Sequence, residues 1–206
     1  YNLSYVTYYN DMDGWKDQSD NGYDLNLHTT NTVGVRQYPE GVTGIIDDWN
    51  LTATNFNGIN DYTYSPDADL EDSTYAFSFW IYPDSSFTGE RRWACTTNGQ
   101  FVAGQVCIRK GSGANELVLY AGSLGSNAVG FTPDEWQHIV VNSDGVTTKA
   151  YVNGVLKVTA GLESNPTAGM YIGAYYDTTV DAEFFKGNLQ DFNIWDTNLS
   201  EAEITS

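Results

Sequence analysis

The sequence DEWQHIVVNSDGVTTKAYVNGVLK, residues 134–157, contains the clearest structural signal in the chain. Its second half places Asn153 and Gly154 between two apolar runs, and Asn-Gly in that position is the strongest short-range signal for a β-hairpin. Its first half contains the apolar run WQHIVVN, which follows the turn-forming residues TPDE. The stretch therefore predicts short antiparallel strands joined by tight turns.

Strand-like patterns recur through the rest of the chain. Residues 75–83, YAFSFWIYP, place apolar bulk on both faces of an alternating strand, which predicts a central position in a sheet. Short strands are also predicted in ELVLYAG, GMYIGAYY and LQDFNIWD, with turn-rich loops such as KGSGAN between them. The one helical signal is LSEAEI, where Ser200 and Glu203 have the spacing of a capping box. We expect an all-β, two-sheet antiparallel sandwich that forms a single domain over residues 1–206.

Charge excludes some classes of partner. The 206 residues include 9 Lys and Arg against 27 Asp and Glu, which gives a net charge of -18. Nucleic acids and anionic membrane surfaces would both repel such a chain, so we expect no nucleic-acid binding. No run of 18 or more apolar residues occurs, so membrane insertion is not expected either. The chain begins YNLSY, with neither Met nor an apolar leader, and we expect it to be part of a longer protein.

Two cysteines, Cys95 and Cys107, flank the turn-forming residues of CTTNGQFVAGQVC. A disulfide across a hairpin fits this spacing, and two reduced cysteines in the core fit it as well. The disulfide is the preferred alternative if the protein functions outside the cell.

The acidic segment DMDGWKDQSDNGYDL, residues 11–25, has two interpretations. Asp17, Ser19 and Asn21 alternate ahead of Gly22, like the first half of a helix-loop-helix calcium loop. The residue at the closing position is His28 instead of a bidentate Glu, however. The alternative is a turn, since Asp, Asn, Ser and Gly all favour turn conformations.

Four segments, taken in order, resemble a known family. They are FNGINDYTY (56–64), YAFSFWIYPD (75–84), the opening stretch (134–157) and FFKGNLQDFNIWDTNLSEAEI (184–204). Together they resemble the signature segments of the concanavalin A-like lectin/glucanase superfamily, in its laminin-G-like and pentraxin-like branch. The resemblance implies a jelly roll of two antiparallel sheets, with loops clustered at one rim.

The resemblance also implies a structural calcium ion (Ca2+). In relatives, a loop of the type D-x-S-x-N-G-x-D lies near the Asp of a closing G-x-L-x-D strand, and oxygen ligands suit calcium. The expected side-chain ligands are Asp17, Ser19, Asn21, Asp24 and Asp191, with Asp17 and Asp191 foremost. Gln190 departs from the pattern, because relatives often have a second Asp at this position.

Catalysis is not expected. Glucanases of this superfamily carry two carboxylates on one strand in the pattern E-x-D-x-x-E, and retaining hydrolysis needs them about 5 Å apart. The nearest segment, DAEFFK, contains Asp181 and Glu183 in the reverse order and ends in Lys186. His28 and His138 are the only histidines, and His138 is expected to be a packed strand residue.

Carbohydrate binding needs aromatic rings that stack on sugars and planar polar groups that bind hydroxyls. Three segments combine these residue types and are predicted to be rim loops. The candidate ligand contacts are Arg91, Arg92, Trp93, Tyr175, Tyr176, Asp177, Asn60 and Asp61. Most of the 30 aromatic residues must nevertheless form the core. Those assigned to the core include Trp15, Trp80, Trp136 and Trp195.

Two functions fit these observations. The first is a non-catalytic carbohydrate-binding module of a secreted, cell-surface or virion protein, supported by calcium, whose partner is a glycan or surface polysaccharide. Other chains of a larger assembly are possible further partners. The second is a structural or adhesion domain of a surface or phage appendage that binds protein or no ligand. An exposed apolar patch would favour the second function, and a groove with a stacked aromatic ring would favour the first.

Overall fold

The computed structural model describes most of the chain from residue 53 onward and three strands before it. The described residues are 5–11, 14–17, 25–28, 53–65, 70, 73–96, 105–122, 125–161, 166, 169–174 and 183–205. In the three strands before residue 53, only the backbone is described.

The described residues lie mostly in strands, with one short helix at the end. The strands are β1 (Tyr5–Asp11), β2 (Gly14–Asp17), β3 (Leu25–His28), β4 (Thr54–Asn57), β5 (Tyr62–Ser65), β6 (Thr74–Pro83), β7 (Arg91–Thr96), β8 (Val106–Lys110), β9 (Glu116–Ala121), β10 (Gly125–Val129), β11 (Gln137–Asp144), β12 (Thr147–Val152), β13 (Val155–Gly161), β14 (Met170–Ile172) and β15 (Lys186–Trp195). The helix is α1 (Glu201–Thr205). Among the described residues, no helix has the length and apolar character needed to cross a membrane.

The strands form two antiparallel sheets. In the first sheet, the order is β15-β6-β11-β12-β13, and both β4 and β1 pair with the free side of β15. In the second sheet, the order is β10-β9-β8-β7-β14-β5-β3-β2-β1. β1 belongs to both sheets, because its first residues pair with β15 and its last four pair with β2. This arrangement confirms the predicted two-sheet jelly roll, and β6 is central as predicted.

The main core lies between the two sheets. Phe77 and Phe79 of β6 stack on Phe192 of β15, with ring centroids 6.1 and 5.6 Å apart. Ile108 of β8 and Leu119 of β9 belong to the same buried cluster from the second sheet. Because residues alternate between faces along a strand, the other face of each sheet points away from this core.

Two local predictions are confirmed. Asn153 and Gly154 form the turn between β12 and β13, and both have positive φ angles, 51° and 74°. At α1, the Ser200 backbone N–H donates to Glu203 Oε2 at 2.8 Å, which is half of the expected capping box, and the Ser200 Oγ–H donates to the same oxygen at 2.6 Å. The Glu203 N–H donates back to Ser200 Oγ at 3.4 Å and completes it.

Cys95 of β7 and Cys107 of β8 lie directly opposite each other and form a disulfide. Both residues are fully buried, and they pack with Val118 and Tyr120 of β9 in a separate small cluster. Of the two alternatives that the sequence left open, the structure contains the disulfide.

Candidate functional site

The segment around Arg91, Arg92 and Trp93 is not a loop. Residues 91–96 form β7, which lies inside the second sheet between β8 and β14. The loop prediction for these residues is wrong because they complete the hydrogen-bond ladder of this sheet. The Trp93 side chain is 1% exposed and packs edge-on against Phe131 with ring centroids 5.1 Å apart. In this position Trp93 stabilises the core and presents no ring face to solvent.

Arg92 is also buried, at 0% exposure, and its charge is compensated inside the protein. Its Nε donates to Glu183 Oε2 at 2.6 Å, and its Nη1 donates to Cys107 Sγ at 3.2 Å. Burial lowers the pKa of the Arg92 guanidinium, and the nearby Glu183 carboxylate opposes this shift. The arginine is therefore held in a buried charge network.

The neighbouring Arg109 of β8 has a similar environment. It is 4% exposed, its Nη1 lies 2.5 Å from Glu90 Oε2, and its Nη2 donates to Tyr120 Oη at 2.8 Å. Arg92 and Arg109 face each other across the β7–β8 ladder. Without nearby carboxylates, two like charges in this arrangement would destabilise the sheet. Glu90 and Glu183 therefore stabilise the fold by pairing with these arginines.

Arg91 and the loop that contains Asn60 and Asp61 both pack on Phe87. The Arg91 guanidinium lies over the Phe87 ring, 3.7 Å from its centroid. A Cβ at Gly58 would lie 2.5 Å from the same ring, so the loop between β4 and β5 packs closely on Phe87. Within that loop, Asp61 Oδ2 accepts the Asn57 backbone N–H at 2.9 Å and Asn60 Oδ1 accepts from Asn57 Nδ2 at 2.7 Å. Asn60 and Asp61 thus bind their own loop.

Three predicted contacts, Tyr175, Tyr176 and Asp177, lie outside the described residues. In the chain they fall between β14 and Glu183. The same holds for Asp181 of the DAEFFK segment. Its other two charged residues are both in ion pairs, Glu183 with Arg92 and Lys186 with Asp84 at 3.1 Å.

The predicted calcium ligands are described only in part. Ser19, Asn21 and Asp24 lie outside the described residues, and for Asp17 only the backbone at the end of β2 is described. Asp191 is exposed and has a positive φ of 51° in a bulge of β15. The protein around its carboxyl group nevertheless raises the pKa of Asp191 by desolvation. No cluster of three or more acidic, His or Cys residues that could hold a metal occurs among the described residues.

Backbone pairing brings Asp17 and Asp191 to one region. β15 pairs with β4 up to Leu189 and with β1 from Asn193 onward, so Asp191 lies in the interval between these two neighbours. The last residue of β1 that pairs with β15 is Thr7. The next residue, Tyr8, pairs with Asp17 of β2. Both aspartates therefore lie where β1 passes from one sheet to the other.

A group of aromatic side chains lies on the outer face of the first sheet. The sequence predicts that two of them, Trp80 and Trp136, belong to the core. Trp80 of β6 is 38% exposed, and its ring stacks on that of His138 in β11 with centroids 5.2 Å apart and planes inclined by 30°. The two residues are direct cross-strand partners. On the same face, Tyr82 contacts Trp136 with ring centroids 5.7 Å apart. The core assignment is wrong for Trp80, and Trp136 and Trp195 are half-buried.

This aromatic group forms part of a groove of about 560 Å³, which we call the Trp80 groove. Its lining residues are Trp80, Trp136, His138, Asn153, Gly154, Val155, Ile204 and Thr205. The β12–β13 turn forms one wall because Asn153 is tied to His138. The Asn153 N–H donates to His138 O, and the His138 N–H donates to Asn153 Oδ1, both at 2.8 Å.

Helix α1 forms another wall of the groove. Ile204 is buried against Val140 and Tyr151 on the outer face of the first sheet, which fixes the helix there. Thr205 then lies beside the turn, 3.3 Å from the position of a Cβ at Gly154. The groove therefore combines an exposed indole, an imidazole, a carboxamide and a hydroxyl group.

A signal for the groove is present in the sequence. Along YAFSFWIYP, one face carries Phe77, Phe79 and Ile81, whereas the other carries Ser78 together with Trp80. In a two-sheet sandwich only one face of each sheet contacts the core, so the face with the serine is the better candidate for the outer one. The partner residues from 136–138, 153–155 and 204–205 become neighbours only through the fold.

A model of the concanavalin A-like lectin/glucanase superfamily, of laminin G type, matches residues 56–205. The chain belongs to this superfamily. The match extends from within β4 to the end of α1, so every residue that lines the Trp80 groove lies within the superfamily domain. No curated protein shows significant sequence similarity to the chain.

Solved structures with the same fold include two domains in complex with saccharides. Domain 4 of an extracellular GH43 arabinanase from Geobacillus stearothermophilus, in complex with arabinotriose, is 20% identical with a TM-score of 0.66, and the match covers 97% of this chain and 95% of that domain. A ligand-binding domain of botulinum neurotoxin serotype D, in complex with N-acetylneuraminic acid, is 14% identical with a TM-score of 0.65, over 97% of this chain and 49% of the other.

A sialidase from Trypanosoma rangeli, in complex with the inhibitor DANA, is 13% identical with a TM-score of 0.67. The match covers 98% of this chain but 31% of the sialidase. At these identities the three structures establish a shared fold and no shared function.

Proposed function

We propose that the protein is a non-catalytic carbohydrate-binding module of a secreted, cell-surface or virion protein, and that it binds glycan in the Trp80 groove. The observation that carries this proposal is the exposed, stacked ring of Trp80 in a groove that also contains hydrogen-bonding groups. Sugar rings have an apolar face and a polar edge, so they need both kinds of surface at one site.

The dimensions and chemistry of the groove fit a small saccharide unit. Ligand sites of this kind are mostly apolar and contain a few placed polar groups, and their volumes range from about 300 to 1,000 Å³. The Trp80 groove, at about 560 Å³, falls in that range. The arabinotriose and N-acetylneuraminic acid bound to the two structural neighbours support a carbohydrate ligand.

The arrangement of carboxylates supports a binding role instead of hydrolysis. Glycoside hydrolysis uses two carboxyl groups on either side of the scissile bond. The described residues that line the Trp80 groove include no Asp or Glu. The carboxylates of Glu90 and Glu183 are paired with two buried arginines of the second sheet.

The test is a glycan array probed with the wild-type protein and with Trp80→Ala. We expect the wild type to bind a set of glycans and the variant to bind them about tenfold more weakly, because stacking and ring burial together contribute about 1.4 kcal/mol. Val129→Ala is a matched control, since Val129 is exposed at 79% on β10 of the other sheet. An unchanged thermal midpoint in both variants shows that folding is intact.

Two outcomes would overturn the proposal. If no glycan binds to the wild type, the module is not a lectin. If Trp80→Ala binds every positive glycan as tightly as the wild type, the Trp80 groove is not the site.

The alternative is a structural or adhesion domain that binds protein. One observation favours it: at the start of edge strand β13, Val155, which lines the groove, and the next residue, Leu156, are 56% and 48% exposed. Exposed apolar side chains on a sheet edge are a common feature of protein interfaces. A silent glycan array would make this alternative the better hypothesis.

We also propose that calcium supports the fold through Asp17 and Asp191. The backbone pairing that brings both residues to the crossing of β1 supports this proposal. Carboxylate oxygens are suitable ligands for calcium, and β-bulges often direct a side chain away from the ladder.

A further inference from the structure

We infer that the Trp80 groove selects uncharged sugar rings and rejects sugars that carry a carboxylate or sulfate group. This inference rests on the proposed function, since it specifies the ligand class of the same site. The two saccharides bound to the structural neighbours, one neutral and one acidic, leave this choice open.

The residues that the structure places in the walls of the groove carry no Lys or Arg charge. Helix α1, which forms one wall, carries Glu201 and Glu203 in its first turn and no basic residue in its last turn. An acidic sugar in the groove would therefore lie beside a helix that carries two carboxylates, with no Lys or Arg among the described lining residues to pair with, in a chain whose net charge is -18.

His138 does not compensate for this lack. Its ring lies against Trp80, and burial lowers the pKa of His138 below its ordinary value. At neutral pH the imidazole is uncharged, with one nitrogen that donates and one that accepts. A neutral imidazole suits a sugar hydroxyl, which can also donate and accept, better than it suits a carboxylate.

The other polar groups match hydroxyls in the same way. The Asn153 carboxamide uses Oδ1 to accept the His138 N–H, which leaves its NH2 group as a donor at the groove. Thr205 uses its hydroxyl hydrogen to bond Glu201 O at 2.9 Å, so its oxygen still has acceptor capacity. The groove thus offers both donors and acceptors beside an aromatic face.

Two arginines of the second sheet are buried in ion pairs away from the groove. Arg92 and Arg109, both at most 4% exposed, lie on the second sheet in ion pairs with Glu183 and Glu90. The groove lies on the outer face of the first sheet, so the core separates it from these arginines. The described residues that line the groove include no arginine for bidentate pairing, which is the strongest way to bind a carboxylate.

The experiment uses a glycan array in which neutral glycans are paired with acidic counterparts, including methyl-esterified and de-esterified galacturonan oligomers. Wild type, Trp80→Ala and Thr205→Lys are compared. We expect every glycan whose binding depends on Trp80 to be uncharged. We expect Thr205→Lys to raise the affinity for acidic members relative to neutral ones about fivefold, because a unit charge at 4 Å contributes about 1 kcal/mol in water.

Val146→Lys is the matched control, because it adds the same charge at an exposed turn at the other end of β11. We expect it to leave the ratio of acidic to neutral binding unchanged. If an acidic glycan binds the wild type at least as tightly as its neutral counterpart and Trp80→Ala abolishes this binding, the inference is overturned while the proposed function stands. If no binding depends on Trp80, both are overturned.

Discussion

Arg92 is the residue whose environment most strongly constrains its role. Its guanidinium is 0% exposed and Glu183 Oε2 lies 2.6 Å from its Nε. Moving both charges out of water costs free energy. The attraction between them offsets this cost only while the ion pair is intact. Arginine next to tryptophan is typical of binding sites, but here the arginine stabilises the second sheet from within.

Replacing Glu183 with Gln tests this role at the residue scale. The substitution keeps the size of the side chain and removes the charge that compensates Arg92. Breaking a buried pair by removing one partner costs about 3 kcal/mol, and we expect a loss of this order in the free energy of unfolding in urea. The control is Glu135→Gln at an exposed loop position, for which we expect a change within about 0.5 kcal/mol. Equal losses in the two variants would show that the pair contributes nothing.

Trp80 and Trp93 show what the sequence can and cannot predict for single residues. Strand alternation correctly groups the residues that share a face, but by itself it does not indicate which face meets the other sheet; in β6 that indication comes from Ser78. For Trp93, a register irregularity between Arg92 and Ala94 also interrupts the alternation. The assignment of the two tryptophans was therefore reversed: Trp93 lies in the core, and Trp80 lies on the outer face.

At the scale of elements, the β12–β13 hairpin joins a strong local signal to the candidate site. The Asn-Gly pair adopts the two positive φ angles that a tight hairpin turn requires, and this feature was predictable from two residues. The turn then holds the Asn153 carboxamide against the backbone of His138. A local sequence preference thus positions one of the polar groups of the groove.

Gly154→Ala tests the contribution of this turn. Gly154 has a φ of 74°, and a side chain in this region costs about 1–2 kcal/mol. The added methyl group would also lie 3.3 Å from Thr205 Cγ2. We expect the free energy of unfolding, measured in urea, to fall by this amount. The slope of that free energy against urea concentration should stay the same.

Gly161→Ala is the matched control for this prediction. Gly161 ends β13, its φ lies outside the left-handed region, and a Cβ there would have no neighbour within 4 Å. We expect no loss, since Ala also reduces the freedom of the unfolded chain. A stability loss as large as that of Gly154→Ala would mean that neither the φ angle nor the contact with α1 matters.

At the scale of the whole molecule, the resemblance of four ordered segments was sufficient to predict the fold. The groove was not predictable in the same way, because its residues come from β6, the start of β11, the β12–β13 turn and α1. Their proximity depends on strand register and on the packing of Ile204 against the outer face of the first sheet. A single sequence specifies register only through the combined fit of both sheets.

The passage of β1 from one sheet to the other leads to the last prediction, which concerns calcium. If the ion bridges Asp17 and Asp191, it links β2 of one sheet to β15 of the other, and it binds only the folded protein. A ligand at 100 times its dissociation constant stabilises by about 2.7 kcal/mol. For a chain of this size, that corresponds to a rise in the thermal midpoint of about 5–10 °C in calcium relative to a chelator. We expect Asp191→Asn to remove this rise, because Asn tolerates the positive φ of the bulge but lacks the charge. Asp196→Asn, an exposed position just after β15, should retain it. Identical midpoints in calcium and chelator for the wild type would show that the acidic segment before β3 is a turn without a metal.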